Sequence, residues 1–115
     1  MKSRSWTTTR EAKAKDYTEP IHPGEILREE FMNNFGLNAN KLALGLRVPA
    51  PRIYDIVNEK REITPETALR LARYFNTSPE FWMNLQTRYS LQVAKKKNLR
   101  QVEQDVRPLQ AEASR

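Results

Sequence analysis

LNANKLALGLRVPAPRIYDIVNEKR, residues 37–61, holds two short apolar patterns separated by a tight turn. Leu42, Ala43 and Leu46 fall at i, i+1 and i+4 of one helix, and Ile53, Ile56 and Val57 at i, i+3 and i+4 of the next, so both stripes can share one core. Pro49, Ala50, Pro51, Arg52, Tyr54, Asp55 and Asn58 are left outward on the second helix. That set mixes small and hydrogen-bonding residues and contains no large aliphatic. It suits contact with the polar edges of bases better than contact with an apolar surface.

Upstream of this pair, a first helix is expected to begin near Pro23, whose missing N–H costs nothing at a helix start, with Glu25 at the positive end of the dipole. Leu27, Phe31 and Phe35 recur at i, i+4 and i+8 as its expected buried stripe, and Gly36 supplies a left-handed stop. Asn38 is placed to cap the next helix. Residues 1–20 are polar and aperiodic, with Trp6 and Tyr17 as their large apolar groups, and read as a flexible arm.

Downstream, Thr64-Pro65-Glu66 and Ser78-Pro79-Glu80 repeat one device: a cap, a proline in the first turn and an acid near the N-terminus. Ala68, Leu71, Ala72 and Phe75 then keep helical spacing, with Asn76 as a left-handed end, and Phe81, Trp82, Leu85 and Tyr89 continue the pattern. No segment alternates with a period of two. The expected fold is therefore all-α, with about five helices over residues 21–94. Residues 95–115 form a basic, partly helical tail: Lys95, Lys96 and Lys97 precede Leu99, Val102, Val106 and Leu109, spaced three, four and three apart. Pro108 limits that run, so a short amphipathic extension, either packing on a neighbour or ending frayed and solvated, is expected rather than a coiled coil.

At 115 residues the chain is expected to make one small domain. It contains no cysteine and one histidine, which excludes disulfides and the usual zinc sites. No apolar run approaches the roughly 20 residues that span a bilayer, and MKSRSWTTTREAKAK lacks the apolar centre of a secretory signal, so a cytoplasmic protein without a membrane partner is expected. A Gly-rich phosphate loop and a His-Glu-x-x-His pattern are also missing, which argues against an enzyme, and no cofactor is implied. His22, in a His-Pro-Gly-Glu turn without a second histidine or a nearby nucleophile, reads as a helix-entry residue.

The net charge of +6 is unevenly placed. Lys and Arg outnumber Asp and Glu five to three in residues 1–21 and six to three in residues 95–115, against nine to eight in residues 22–94. Within that balanced middle, Lys41, Arg47, Arg52, Lys60 and Arg61 face only Asp55 and Glu59. Positive charge thus gathers on the helix pair and the tails, as expected for a polyanion partner.

IHPGEILREEF, the spacing LA…LRV…RIYDIVNEKR and the block ITPETALRLARYFNTSPEFWMNLQ together resemble the HigA-type antitoxins, a branch of the Cro/repressor-like (XRE) helix-turn-helix proteins. The resemblance runs from Ile21 to about Leu91. It implies a homodimeric repressor that binds double-stranded operator DNA in its own promoter and neutralises a small RelE-like ribonuclease toxin encoded beside it. Three positions depart from the family pattern. Arg47 and Glu59 stand where the family has glycine, each in a turn where a non-glycine residue costs on the order of 1 kcal/mol, and Pro49 replaces a Ser or Thr cap.

By position in the repressor pattern, Ala50, Pro51, Arg52, Tyr54 and Asp55 are the implied base contacts. Arg52 would grip guanine O6 and N7, Ala50 and Pro51 would meet a thymine methyl, and Asp55 would accept from cytosine N4 or hold Arg52 in place. Asn38, Asn40, Lys41, Arg47, Lys60 and Arg61 are the implied phosphate contacts. Phe81 and Trp82, large aromatics at helical spacing, are expected in the core or at a dimer seam that Leu85, Tyr89 and Val93 would extend. A dimer is expected because two recognition helices about 34 Å apart match one turn of duplex. The acidic first helix, with Glu25, Glu29 and Glu30, is a candidate toxin surface. A stand-alone regulator without a toxin, or an interaction module whose basic tails bind RNA or an acidic protein, would share many of these features.

Overall fold

The computed structural model describes residues 19–110. The expected arm over residues 1–20 lies outside them except for Glu19 and Pro20, as do the last five residues. Among the described residues the fold is all-helical, with five helices and no strand.

The first helix, α1, spans residues 23–35 and changes pitch midway: Pro23–Ile26 is α-helical, Leu27–Met32 π-helical and Asn33–Phe35 α-helical again. The Asn33 N–H accordingly donates to the Arg28 carbonyl five residues back. A π turn carries i and i+5 on one side, so Leu27 and Met32 are buried. Phe31 packs half-buried against the core, and Phe35 is 64% exposed. The expected Leu27, Phe31, Phe35 stripe is corrected by that wider pitch.

The remaining helices are α2 (Ala39–Leu46), α3 (Ala50–Val57), α4 (Pro65–Phe75) and α5 (Pro79–Asp105). Their ends follow the cap chemistry of the sequence. Asn38 Oδ1 accepts from the Lys41 N–H at 2.8 Å, Thr64 Oγ1 from Thr67 at 3.4 Å and Ser78 Oγ from Phe81 at 3.1 Å. Gly36 and Asn76 close α1 and α4 in the left-handed conformation, at φ 64° and 60°. Arg47 and Glu59 adopt the same conformation, at φ 62° and 63°, and Pro49 precedes α3 without a side-chain cap.

One core joins all five helices: Leu27, Leu42, Ile53, Ile56, Ala68, Leu71 and Trp82 are fully buried within it. Trp82 Nε1 donates to Thr77 Oγ1 at 2.8 Å, so the indole is buried with its one donor satisfied. Gln86 is buried too. Its Oε1 accepts from the Ile63 N–H at 2.8 Å and its Nε2 donates to Ser90 Oγ at 3.0 Å, fastening the α3–α4 loop to α5.

Only the first half of α5 belongs to this core. At 1.5 Å per residue its 27 residues reach about 40 Å, more than either short dimension of the 56 × 31 × 25 Å molecule. The helix therefore overhangs. From residue 94 onward every described residue is exposed, including Leu99, Val102, Val106 and Leu109. The helix continues through Lys95–Lys97 and stops at Asp105, before Pro108.

Candidate nucleic-acid interface

The α2–turn–α3 unit is held from behind. Ile53, Ile56 and Val57 anchor α3 in the core, and α1 locks its last turn in two ways. The Cα of Gly24 sits so close that a Cβ there would lie 1.8 Å from the Ile56 carbonyl oxygen. Arg28 donates to the Val57 carbonyl at 2.5 Å and lies 3.8 Å from Glu59. His22 caps α1: its Nδ1 accepts from the Gly24 N–H at 2.8 Å, and its ring meets the Tyr89 ring edge-on, with centroids 4.8 Å apart. The helix-entry reading of His22 is thus met.

With three buried positions fixed, a rotation of about 100° per residue sets the outward side of α3. Pro51, Tyr54, Asp55 and Asn58 occupy its centre, flanked by Ala50 on one edge and Arg52 on the other. Pro51, Tyr54 and Asn58 are exposed, while Ala50 is half-buried against the core. Arg52 lies on the edge toward α4, and its partner comes from there. Arg52 NH1 is 3.3 Å from Glu66 Oε1, whereas Asp55 pairs with Arg61 at 3.8 Å. The alternative expectation that Asp55 holds Arg52 in place is corrected: the carboxylate beside Arg52 is that of Glu66.

Glu66 also takes Arg70 on its other oxygen, with Nε at 3.0 Å and NH2 at 2.9 Å. Arg70 in turn donates from NH1 to the Leu46 carbonyl at 2.9 Å. The hydrogen bond and charge of Arg70, followed by the charge of Arg52, hold the Glu66 carboxyl below the usual carboxylate range. Helix periodicity cannot reveal Glu66, because the pairing crosses between helices. The sequence shows it only as the acid of the Thr-Pro-Glu helix start.

The flanking residues expected at phosphates, Asn38, Asn40, Lys41, Arg47, Lys60 and Arg61, are all exposed. Asn38 has its oxygen occupied by the cap, which leaves its amide N–H groups as donors. Among the described residues no carboxylate lies within ion-pair distance of Lys41, Arg47 or Lys60. Within this flanking set, these three cations stand open to an outside anion.

Of the residues expected at a subunit seam, Phe81, Leu85, Tyr89 and Val93 are half-buried. Trp82 is 0% exposed and packs against Phe31 and Phe81, so of the two expected places, core and seam, it takes the core of its own subunit and leaves the seam set. Among the described residues no helix is long and apolar enough to cross a membrane.

Residues 28–82 match the family described as Helix-turn-helix. The chain is 51% identical over 80 residues to virulence-associated protein I of Dichelobacter nodosus, covering 70% of this chain and 74% of that protein. The fold superposes with a TM-score of 0.78 on the Pseudomonas aeruginosa antitoxin HigA solved with the higBA promoter, at 51% identity, over 80% of this chain and all of that one. An addiction module antidote protein of the HigA family from Coxiella burnetii superposes with a TM-score of 0.75 at 48% identity, over 79% of this chain and 99% of that one. With its five-helix fold, its helix-turn-helix unit and these relatives, the chain belongs to the HigA-type antitoxins of the helix-turn-helix family.

Proposed function

We propose that the protein binds operator DNA as a homodimer, placing α3 in the major groove, represses its own operon, and neutralises a RelE-like ribonuclease toxin encoded beside it. One observation carries the DNA-binding part. The outward side of α3 offers hydrogen-bonding and small residues, and the cations Lys41, Arg47 and Lys60 beside it are free of carboxylate partners among the described residues. Such an arrangement leaves phosphates to fix the register and base edges to carry sequence. The relative solved with its promoter supports the same use of the fold.

In this reading Arg52 contacts a guanine, Pro51 and Ala50 meet thymine methyls, and Tyr54 and Asp55 complete the base contacts. Asn38, Asn40, Lys41, Arg47, Lys60 and Arg61 hold phosphates. Phe81, Leu85, Tyr89 and Val93 on α5 are proposed to meet their copies in the second subunit, together with the exposed apolar residues farther along the helix. The toxin is proposed to contact α1, where Glu29 and Glu30 present acid beside the clamp that Arg28 forms on α3. The excess of positive charge on the chain favours one second reading, a stand-alone regulator in the cytoplasm that has no basic toxin to cover.

The test of DNA binding replaces Arg52, Lys60 and Arg61 together by glutamine. Affinity for the chain's own promoter is expected to fall steeply, and the slope of log affinity against log salt to flatten by about two to three, near one unit per charge contact. An unchanged slope and affinity would overturn the proposal. Co-expression with the neighbouring reading frame separates the two readings, since co-purification of a small inhibited ribonuclease is required by the first and excluded by the second.

A further inference from the structure

Arg52 is the outward residue of α3 with the longest reach, and it stands on the edge of the outward side rather than at its centre. To meet a guanine it must cross toward the groove in one orientation. A free arginine side chain would lose rotamer freedom each time it did so. Here it is already held. Glu66 Oε1 lies 3.3 Å from Arg52 NH1, and one such contact leaves the other guanidinium N–H groups for a base.

The carboxylate is itself oriented. Arg70 grips Glu66 Oε2 through two nitrogens, at 3.0 and 2.9 Å, and anchors to the carbonyl of Leu46, the last residue of α2, at 2.9 Å. A chain of contacts therefore runs from the end of α2 through α4 to the reading side of α3. We infer that Glu66 is a specificity-determining positioning residue: backed by Arg70, it sets the orientation in which Arg52 meets its base, so discrimination at that base pair is controlled from α4, outside the helix-turn-helix unit.

The inference rests on the proposal that Arg52 contacts a base, and it has a signature that ordinary stabilisation lacks. Glu66 carries a negative charge near the phosphate-binding side, and that charge opposes generic attachment to DNA. Removing it should strengthen binding to random duplex while weakening sequence preference. A residue that served only the start of α4 would weaken both together.

The experiment uses a duplex selected by the full chain from a randomised pool, with each base pair then permuted in turn. Wild type, E66Q, R52Q, R70Q and the double variant R52Q/E66Q are compared, with random duplex as reference. E66Q is expected to lower the preference at one base pair, the one that R52Q also affects, by about threefold or more, as expected for coupled residues. Affinity for random duplex should be equal or higher. R70Q should show the same loss at the same position, and adding E66Q to R52Q should lower that preference no further. If R52Q erases a preference that E66Q and R70Q leave intact, or if E66Q lowers every position evenly, the role of Glu66 is overturned while Arg52 stands. If R52Q changes no position, the base contact itself is overturned and this inference with it.

Discussion

The two sides of α3 are built by opposite rules. Behind the helix, Ile53 and Ile56 are fully buried, Gly24 allows α1 to press against the Ile56 carbonyl, and Arg28 closes the last turn at Val57. In front, Tyr54 is 44% exposed and Arg52 is steadied by an exposed carboxylate. Where the helix sits is fixed several times over. What it presents is fixed by few contacts, so a family can change its reading side without rebuilding its core.

The hardest blow to that division falls on the back. Gly24→Ala would place a methyl 1.8 Å from the Ile56 carbonyl oxygen, and backbone cannot step aside as the end of a side chain can. Either α1 moves off α3 or the last turn of α3 opens. We expect a loss of about 3 kcal/mol or more, the upper range of overpacking and a large part of the stability of a small domain. Gly36→Ala is the contrasting variant. Gly36 has φ +64° and nothing within 4 Å of an added Cβ, so its cost is confined to the left-handed backbone, about 1 kcal/mol. Thermal melts of both variants check the difference, and equal losses would show that the contact behind α3 is less tight than its geometry.

What the sequence reveals follows the same line. Caps and stripes are local, and Asn38, Thr64, Ser78 and Asn76 take the roles their positions imply. Arg47 and Glu59 take left-handed backbone because the turns demand it, whatever the side chain. The π turns of α1 escaped because a template of period 3.6 has no place for Leu27 and Met32 five apart. Trp82 was legible as a residue that packs but not as one that packs within its own subunit, since periodicity does not say against what. The Glu66–Arg52 pair depends on how α3 and α4 approach each other, which spacing along the chain does not encode.

One residue belongs to both sides. Arg47 closes α2 at φ 62°, a conformation that costs a residue with a Cβ on the order of 1 kcal/mol, and its side chain is exposed beside α3 without a carboxylate in ion-pair range among the described residues. Arg47→Gly should therefore move stability and DNA affinity in opposite directions. The folded state is relieved of strain, partly offset by the greater freedom of glycine in the unfolded chain, for a net gain of about 0.5 kcal/mol. Promoter binding weakens, and its salt slope flattens by about one unit, as for one lost phosphate contact. Melting and fluorescence titrations on the same samples read both quantities. A gain in stability with full DNA affinity would remove Arg47 from the interface, and a loss of stability would mean that its side chain supports the fold.

The smallest effect probes the back again, through acid. His22 Nδ1 accepts the Gly24 N–H, which requires the neutral ring with its proton on Nε2. Burial pushes the His22 pKa below its ordinary 6.5, and the charge of Glu59 offsets that in part. The folded chain therefore binds this proton more weakly than the unfolded chain. Above about pH 8 both the folded and the unfolded chain hold the ring neutral, and stability does not depend on the group. As pH falls through 6.5 the unfolded chain takes the proton first, and stability declines until the folded pKa is passed. His22→Asn keeps a side-chain acceptor for the cap and cannot titrate. Plotted against pH between about 7 and 5, above most carboxylate titrations, the melting temperature of wild type should fall more steeply than that of the variant. Because His22 lies beside Gly24, behind α3, the salt slope of DNA binding measured at pH 7 should be the same for both proteins. Parallel melting curves would mean that protonation leaves the cap intact, and a changed salt slope would mean that the two sides of the helix are not independent.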